Sequence, residues 1–195
     1  MELLLCLGLP VLLILGIVVF LIILYNSLVQ LKVLVDEAWS GIDVQLKRRY
    51  DLIPNLVETV KGYAKHEKQT FEKIAELRTS AMNAKTVAEK SKADGMLTET
   101  LKTLFAVAEN YPELKANQNF LELQGSLNEI EGELQGARRY YNGTVRDFNT
   151  KIMVFPNNLL ANMLGFKARE FFQAEEEAKG NVKVSFAEEE EKKSK

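Results

Sequence analysis

Residues 3–24 form an apolar run, LLLCLGLPVLLILGIVVFLIIL, that contains no charged side chain. As a helix rising 1.5 Å per residue, this run extends about 33 Å and exceeds the roughly 30 Å hydrocarbon core of a bilayer. A cleaved signal peptide is disfavoured, because no basic residue precedes the run and the following LYNSLVQ has no small-x-small cleavage site. We therefore predict an uncleaved transmembrane anchor over residues 1–25.

The charges that flank the run bear on its orientation. Glu2 is the only charged side chain before it, and Lys32 is the only basic residue within about 15 positions after it, the interval that decides orientation. The positive-inside rule then favours an outside N-terminus and a cytoplasmic body. The expected localisation is a single-pass protein of a bacterial inner or cell membrane.

Beyond the anchor, apolar residues recur every three or four positions in two long series, which extend from Leu28 to Leu77 and from Leu101 to Ile152. Nothing of comparable length alternates with the period of a strand. The predicted fold class is all-α: an N-terminal transmembrane helix followed by a long antiparallel helical hairpin, or three- to four-helix bundle, of coiled-coil type. Its core is expected to include Leu31, Val35, Trp39, Ile42, Leu127, Leu134, Tyr141 and Phe148.

Breaks in these series set the expected boundaries. The polar stretch NAKTVAEKSKADG ends in Asp94-Gly95, a turn signal that we assign to the hairpin tip. Asn110 and Pro112 indicate a later helix start. We expect a helical bundle over residues 26–178, with helices at 26–90, 97–110, 112–154 and 158–178, and then a flexible tail, 179–195. Because the two arms have similar lengths, the end of the second arm should return to the membrane.

Pro54 lies in the middle of the first series. Proline inside a helix removes a backbone donor and costs about 3 kcal/mol. Two interpretations stay open: a kink that leaves the Tyr50 carbonyl without its usual donor, or a complete helix break at Asp51–Pro54.

The two arms carry opposite charge. Residues 46–92 contain 11 Lys or Arg against 6 Asp or Glu, whereas residues 109–133 contain one lysine and six glutamates. Opposite charges on the flanks of packed helices determine which helices pair, and in which register, more than they add to stability. The predicted charge pairing, within one molecule or between neighbours, involves Arg48, Arg49, Glu129, Glu131 and Glu133; two independently solvated faces are the alternative.

Pro156 should end the second arm, and an apolar segment follows it. This segment is predicted either to pack on the end of the bundle or to rest on the lipid headgroups as an interfacial helix. The candidate membrane-interface residues are Leu160, Met163, Leu164, Phe166, Lys167 and Phe171. Further on, a short strand at 182–186 could dock onto a partner through Val182, Val184 and Phe186.

The sequence contains no recognisable catalytic or metal-binding motif. His66 is the only histidine and Cys6 the only cysteine, so neither a His-based zinc pair nor an intramolecular disulfide is possible. A net charge of −2 argues against a nucleic-acid partner. We therefore expect no enzymatic activity, no cofactor and no metal.

Two blocks, YNSLVQLKVLVDEAWSGIDVQLKRRYDLIPNLVETVKGYAKHE and ARRYYNGTVRDFNTKIMVFPNNLLANMLGF, resemble the LemA family. The resemblance implies a membrane anchor, an all-α body of long antiparallel helices and no known enzymatic activity. It also implies relatives in magnetosome membranes and genes that accompany those of membrane proteases. The family-motif positions, to which no chemistry is assigned, are Trp39, Arg49, Pro54, Asn55, Tyr141, Asn142, Asn149, Phe155 and Pro156.

Two functions remain as hypotheses. The first is a non-enzymatic membrane-anchored scaffold that self-associates and organises or shapes membrane. The second is an adaptor or regulator of a membrane protease in envelope quality control. The partners expected under these hypotheses are the lipid bilayer, further copies of the chain and a membrane protease.

Overall fold

The computed structural model describes residues 2–172 of the chain, with side chains from Gly8 onward, and these residues form six helices. The predicted strand with Val182, Val184 and Phe186, and the predicted tail, lie outside the described residues. No strand occurs in the described part, which confirms the all-α class. The helices are α1 (Glu2–Lys61), α2 (Lys68–Asn83), α3 (Val87–Ala108), α4 (Pro112–Lys115), α5 (Gln118–Met153) and α6 (Asn157–Met163).

Helix α1 passes without interruption from the apolar run into the bundle. Its large apolar side chains between Leu9 and Ile23 are exposed, whereas Leu28 is fully buried and begins the core. Within the described residues it is the one helix long and apolar enough to cross a membrane. At 60 residues it extends about 90 Å.

The bundle consists of two antiparallel helix pairs, α1 with α5 and α2 with α3. Trp39 of α1 contacts Tyr141 of α5, with ring centroids 5.5 Å apart. At the end far from the apolar run, Asn117 donates a hydrogen bond to the Tyr63 hydroxyl at 3.0 Å. Helix α2 therefore runs back toward the apolar run, α3 runs away from it again, and α5 makes the final return.

The predicted hairpin tip is wrong. The first helix ends at Lys61 and not near residue 90, and Asp94-Gly95 lies inside α3. The distal turns are residues 62–67 and 109–117. Helix α3 begins at Val87. Its N-cap is Thr86, whose hydroxyl accepts from the Glu89 amide while the Glu89 carboxylate accepts from the Thr86 amide. This capping box, T-x-x-E, lies inside the predicted first helix, 26–90, and marks a helix start where the prediction has a helix end.

Two further boundaries differ from the prediction. The long helix begins at Gln118 and not at residue 112, because the Asn117 side chain accepts from the Phe120 amide and Pro112 starts only a single turn. Helix α6 ends at Met163 and not at residue 178. Gly165, with φ +72°, and the Phe166 amide, which donates to the Ala161 carbonyl at 2.9 Å, form a Schellman motif there.

Pro54 does not break α1, which continues through it to Lys61. The carbonyl of Tyr50, which would normally accept from residue 54, accepts instead from Nε of Arg78 at 2.7 Å. A guanidinium from α2 thus replaces the missing backbone donor. The proline leaves an acceptor on α1 that α2 satisfies.

Candidate functional site

The end of the bundle nearest the apolar run carries an exposed apolar surface. Phe155 is 78% exposed and Met163 is 82% exposed. Because α1 and α5 are antiparallel with Trp39 beside Tyr141, Phe155 lies at about the level of residue 25, where the apolar run ends. We call this surface the collar; its members are Met153, Val154, Phe155, Leu159, Met163 and Leu164.

Some of the predicted interface residues pack against the bundle, and others are exposed as an interfacial helix would require. Leu160 and Phe166 turn inward, and the Phe166 ring lies 6.4 Å from that of Phe148 in the core. Met163, Leu164 and Lys167 are exposed. Helix α6 therefore packs through one face and presents the other.

Phe171 is exposed but lies away from the collar. The neighbouring Glu170 carbonyl accepts from the Tyr141 hydroxyl at 2.8 Å. Tyr141 precedes the end of α5 by more than three turns, so this part of the chain lies about 18 Å above it. The structure therefore does not bring Phe171 together with the other candidate interface residues.

The predicted core residues lie inside the bundle. Leu31 and Trp39 are half-buried and pack against the core. The remaining six are buried: Val35, Ile42, Leu127, Leu134, Tyr141 and Phe148.

A buried ionic cluster joins three helices at mid-bundle. Asp94 of α3 is fully buried, and its carboxylate accepts from Arg49 of α1 at 3.2 and 3.3 Å and from Arg138 of α5 at 2.6 Å. Glu131 lies 3.0 Å from Arg49 and 3.6 Å from Arg138. The four side chains therefore form a two-plus-two charge network between the helix pairs.

Burial dominates the electrostatics of this cluster. It raises the pKa of Asp94, and the charges of Arg49 and Arg138 oppose that shift. Burial, followed by the charge of Asp94, also raises the pKa of Tyr50, whose hydroxyl donates to Asp94 at 3.5 Å. Oε2 of Glu131 lies 3.0 Å from Nη1 of Arg49 but outside hydrogen-bonding geometry. Within the described residues, Nε of Arg138 is also buried and donates no hydrogen bond.

The predicted charge pairing involves some of these residues and misses others. Arg48 pairs with Glu133 at 3.1 Å on the surface, and Arg49 pairs with Glu131. Glu129 is exposed and forms no ion pair with either arginine. Asp94 and Arg138 were not predicted, although Asp94 continues the helical series of Leu97, Leu101, Leu104 and Ala108 toward the N-terminus. That spacing was the available signal for a buried carboxylate.

A cleft of about 550 Å³ opens beside this cluster between α3 and α5. Leu101, Phe105 and Leu127 contribute apolar side chains to its wall, and Arg138 and Arg139 contribute positive charge. Phe172, where the described chain ends, lies in it and is almost fully buried. The guanidinium of Arg138 lies 4.9 Å from the centroid of the Phe172 ring, a cation–π contact.

The described residues offer little for catalysis. Between residues 2 and 172, no group of three or more His, Cys, Asp or Glu side chains is placed to hold a metal ion. Asp94, the carboxylate whose pKa is raised by burial, is enclosed by arginines and inaccessible to a substrate. The arrangement is suited to holding helices together and to binding a chain in the cleft.

Comparison with known proteins gives a consistent result. The model of the LemA family matches residues 38–186. Magnetosome protein MamQ 2 of Paramagnetospirillum magneticum is 27% identical over 76% of this chain and 64% of its own length. Protein LemA of Metamycoplasma hominis is 29% identical over 82% of this chain and 74% of its own length.

A third relative, Magnetosome protein MamQ of Magnetospirillum gryphiswaldense, is 24% identical over 86% of this chain and 71% of its own length. The chain thus spans slightly less than two thirds of the MamQ proteins of P. magneticum. The family model covers most of the bundle, from Ala38 in α1 to beyond the last described residue. With its apolar N-terminal helix and its all-α bundle, this chain belongs to the LemA family.

Proposed function

We propose that this protein is a non-enzymatic scaffold whose bundle stands on a membrane, and whose copies associate side by side to organise or shape that membrane. The observation that carries the proposal is the continuity of α1 from the exposed apolar segment into the bundle core. A helix without a joint fixes the direction of the bundle relative to the bilayer. Similarity to proteins named for the magnetosome supports a role in a membrane structure.

The collar adds a second point of membrane contact. Its side chains are apolar and exposed at the level where α1 leaves the apolar run, and burying them in the headgroup region would remove that surface from water. Two points of contact restrict the tilt of the bundle more than the span alone. We assign the bundle to the cytoplasmic side because of Lys32.

Side-by-side association is supported by charges that residues 2–172 of one molecule leave unpaired. Lys47, on α1, and Glu129, on α5, are exposed and form no ion pair within these residues. They lie at about the same height in the bundle, so a basic α1 on one copy and an acidic α5 on the next would attract each other. Because such contacts are exposed, salt should weaken them.

The collar is tested with spin labels on full-length protein in phospholipid vesicles, in a Cys6→Ser background. A label at Leu159→Cys should be accessible to dissolved oxygen and shielded from a water-soluble nickel chelate. A matched label at His66→Cys, in the exposed distal turn, should show the reverse. Equal access of the nickel chelate to both labels would rule out membrane contact by the collar.

Self-association is tested by light scattering on full-length protein in detergent. We expect an assembly larger than one copy at micromolar concentration, with a mass that falls as salt is added. A strict monomer under these conditions would remove the scaffold proposal. Glu129→Gln should shift the assembly toward smaller species, whereas Glu58→Gln, which pairs locally with Lys61, should not.

The cleft supports a second candidate function, an adaptor that presents a client or regulator to a membrane protease. Its apolar wall and arginine rim suit an extended acidic segment. Deletion of residues 180–195 of this chain separates the two candidate functions. Assembly should survive the deletion. An adaptor that binds its partner through residues 180–195 should lose that partner.

A further inference from the structure

Two asparagines of α5 hold the chain that follows α6 by its backbone. The Asn149 side chain donates to the Arg169 carbonyl at 2.9 Å and accepts from the Arg169 amide at 2.8 Å. Asn142 does the same with Phe172, at 3.0 and 2.9 Å. Each carboxamide thus pairs with one residue as a neighbouring strand would.

The spacing of these two contacts follows from helix and strand geometry. Seven residues separate the asparagines, which corresponds to about 10.5 Å along α5. Three residues separate Arg169 from Phe172, and an extended chain covers about 10 Å in three residues. The returning segment is therefore nearly extended and advances one contact for every two turns of α5.

The same seven-residue spacing continues along α5 past the level of Phe172, the last described residue. Gln135 lies seven residues before Asn142, and Asn128 lies seven residues before Gln135. Both line the cleft together with Asn142. We call Asn149, Asn142, Gln135 and Asn128 the amide ladder. Its lower two members hold backbone, whereas the side chains of its upper two form no hydrogen bond within residues 2–172.

We propose that residues 173–178 of this chain occupy the cleft, held by the upper two members of the amide ladder. At three residues per step from Phe172, Glu175 is the residue that meets Gln135 and Ala178 is the one that meets Asn128. The chain already enters the cleft at Phe172, so no long connection is required. The family model also extends to residue 186, beyond the described part.

Charge favours the same occupant. Residues 175–177 are three consecutive glutamates, and the rim of the cleft carries Arg138 and Arg139 close to the predicted position of Glu175. Apolar residues of the cleft wall would also be covered. Because a carboxamide pairs with backbone, the ladder fixes the position of the segment, while the arginines select its acidic side chains. Any extended partner at this site would compete with this segment.

Cross-linking of full-length protein in detergent tests the proposed register. In a Cys6→Ser background, the pair Asn128→Cys and Ala178→Cys should form a disulfide or a short bis-maleimide bridge within a single chain. The control pair, Tyr140→Cys and Ala178→Cys, uses an exposed residue on the opposite face of α5 and should not. Absence of the first bridge, or its formation only between two chains, would overturn the proposal.

Hydrogen exchange supplies a second measurement that needs no cysteine. The amides of residues 174–178 should exchange more slowly than those of 187–195, and Gln135→Leu should accelerate them about fivefold, the equivalent of one lost hydrogen bond of about 1 kcal/mol. Gln69→Leu, the same change on exposed α2, should leave them unchanged. Equal exchange rates in the two segments, or no effect of Gln135→Leu, would count against the amide ladder.

Discussion

The two helix pairs of the bundle are held together in different ways. Between α1 and α5 the contact is long and mainly apolar, with Trp39 and Tyr141 in ring contact. The α2–α3 pair is shorter, and prominent polar contacts join it to α1 and α5: the Arg78–Tyr50 hydrogen bond and the ionic cluster around Asp94. The difference suggests that polar substitutions can loosen the second pair selectively, while the first pair keeps its connection to the membrane.

The largest effect is expected from Asp94→Asn. It removes the carboxylate that compensates Arg49 and Arg138, and breaking a buried ion pair from one side typically costs about 3–5 kcal/mol. Chemical denaturation should show that loss, and hydrogen exchange should rise in α3 before it rises in α5. Asp147→Asn, at an exposed pair with Arg146, is the matched control and should change stability little. Equal stability of the two variants would contradict the role of the cluster.

A smaller effect is expected from Arg78→Met, which leaves the Tyr50 carbonyl without a donor. Loss of a charge-assisted hydrogen bond to a part-buried acceptor should cost about 2 kcal/mol in the free energy of unfolding. Adding Pro54→Ala supplies a backbone amide for the same carbonyl, so the double variant should recover part of the loss. If Pro54→Ala gives no recovery, the guanidinium does not substitute for the missing amide.

Thr86→Ala should cost about 1 kcal/mol, because it removes the N-cap of α3. Thr103→Ala, at an exposed position inside α3, is the comparison variant. Thermal unfolding should separate the two, and exchange should increase at the first turn of α3 only in Thr86→Ala.

The same capping box predicts a pH dependence. Hydrogen bonds from the Lys85 and Thr86 amides lower the pKa of Glu89. A lowered folded pKa means that this contribution to stability is present above the ordinary pKa of 4.5 and is lost as pH falls through the folded value. The stability difference between the native chain and Glu89→Gln should therefore shrink on acidification below that range. A difference that stays constant with pH would exclude the carboxylate as its source.

The smallest effect is expected from Arg48→Gln. Its pair with Glu133 joins α1 and α5, but both side chains are about half exposed, and such pairs contribute roughly 0–1 kcal/mol. Denaturation in low and high salt should show little difference between this variant and the native chain. A loss comparable with that of Asp94→Asn would mean that the α1–α5 pair also depends on charge.

How far the sequence predicted the fold depends on which pair is considered. The apolar periodicity that gives α1 and α5 is long and continuous, so fold class and the return to the anchor could be predicted. The α2–α3 pair was missed for local reasons. Asp94-Gly95 resembles a turn but is held inside α3 by tertiary burial, whereas the true distal turn at 62–67 contains only one residue of the usual turn types, Gly62.

The candidate sites show the same limit. Arg49 and Glu131 could be predicted from opposite charge on the two arms, but their shared partner Asp94 was hidden by its assignment to a turn. Phe171 was grouped with the interface residues because α6 was expected to continue, and the positive φ at Gly165 prevents that continuation. The amide ladder requires knowledge that an extended chain returns along α5, which periodicity does not contain.

The absence of a joint in α1 between residues 24 and 61 has a mechanical consequence. About 37 residues of stiff helix extend beyond the apolar run and measure about 55 Å. If the span tilts by about 10° to match a thinner bilayer, the distal turn moves sideways by about 10 Å. A change in local bilayer thickness would therefore move the distal end of the bundle sideways, far from the lipid.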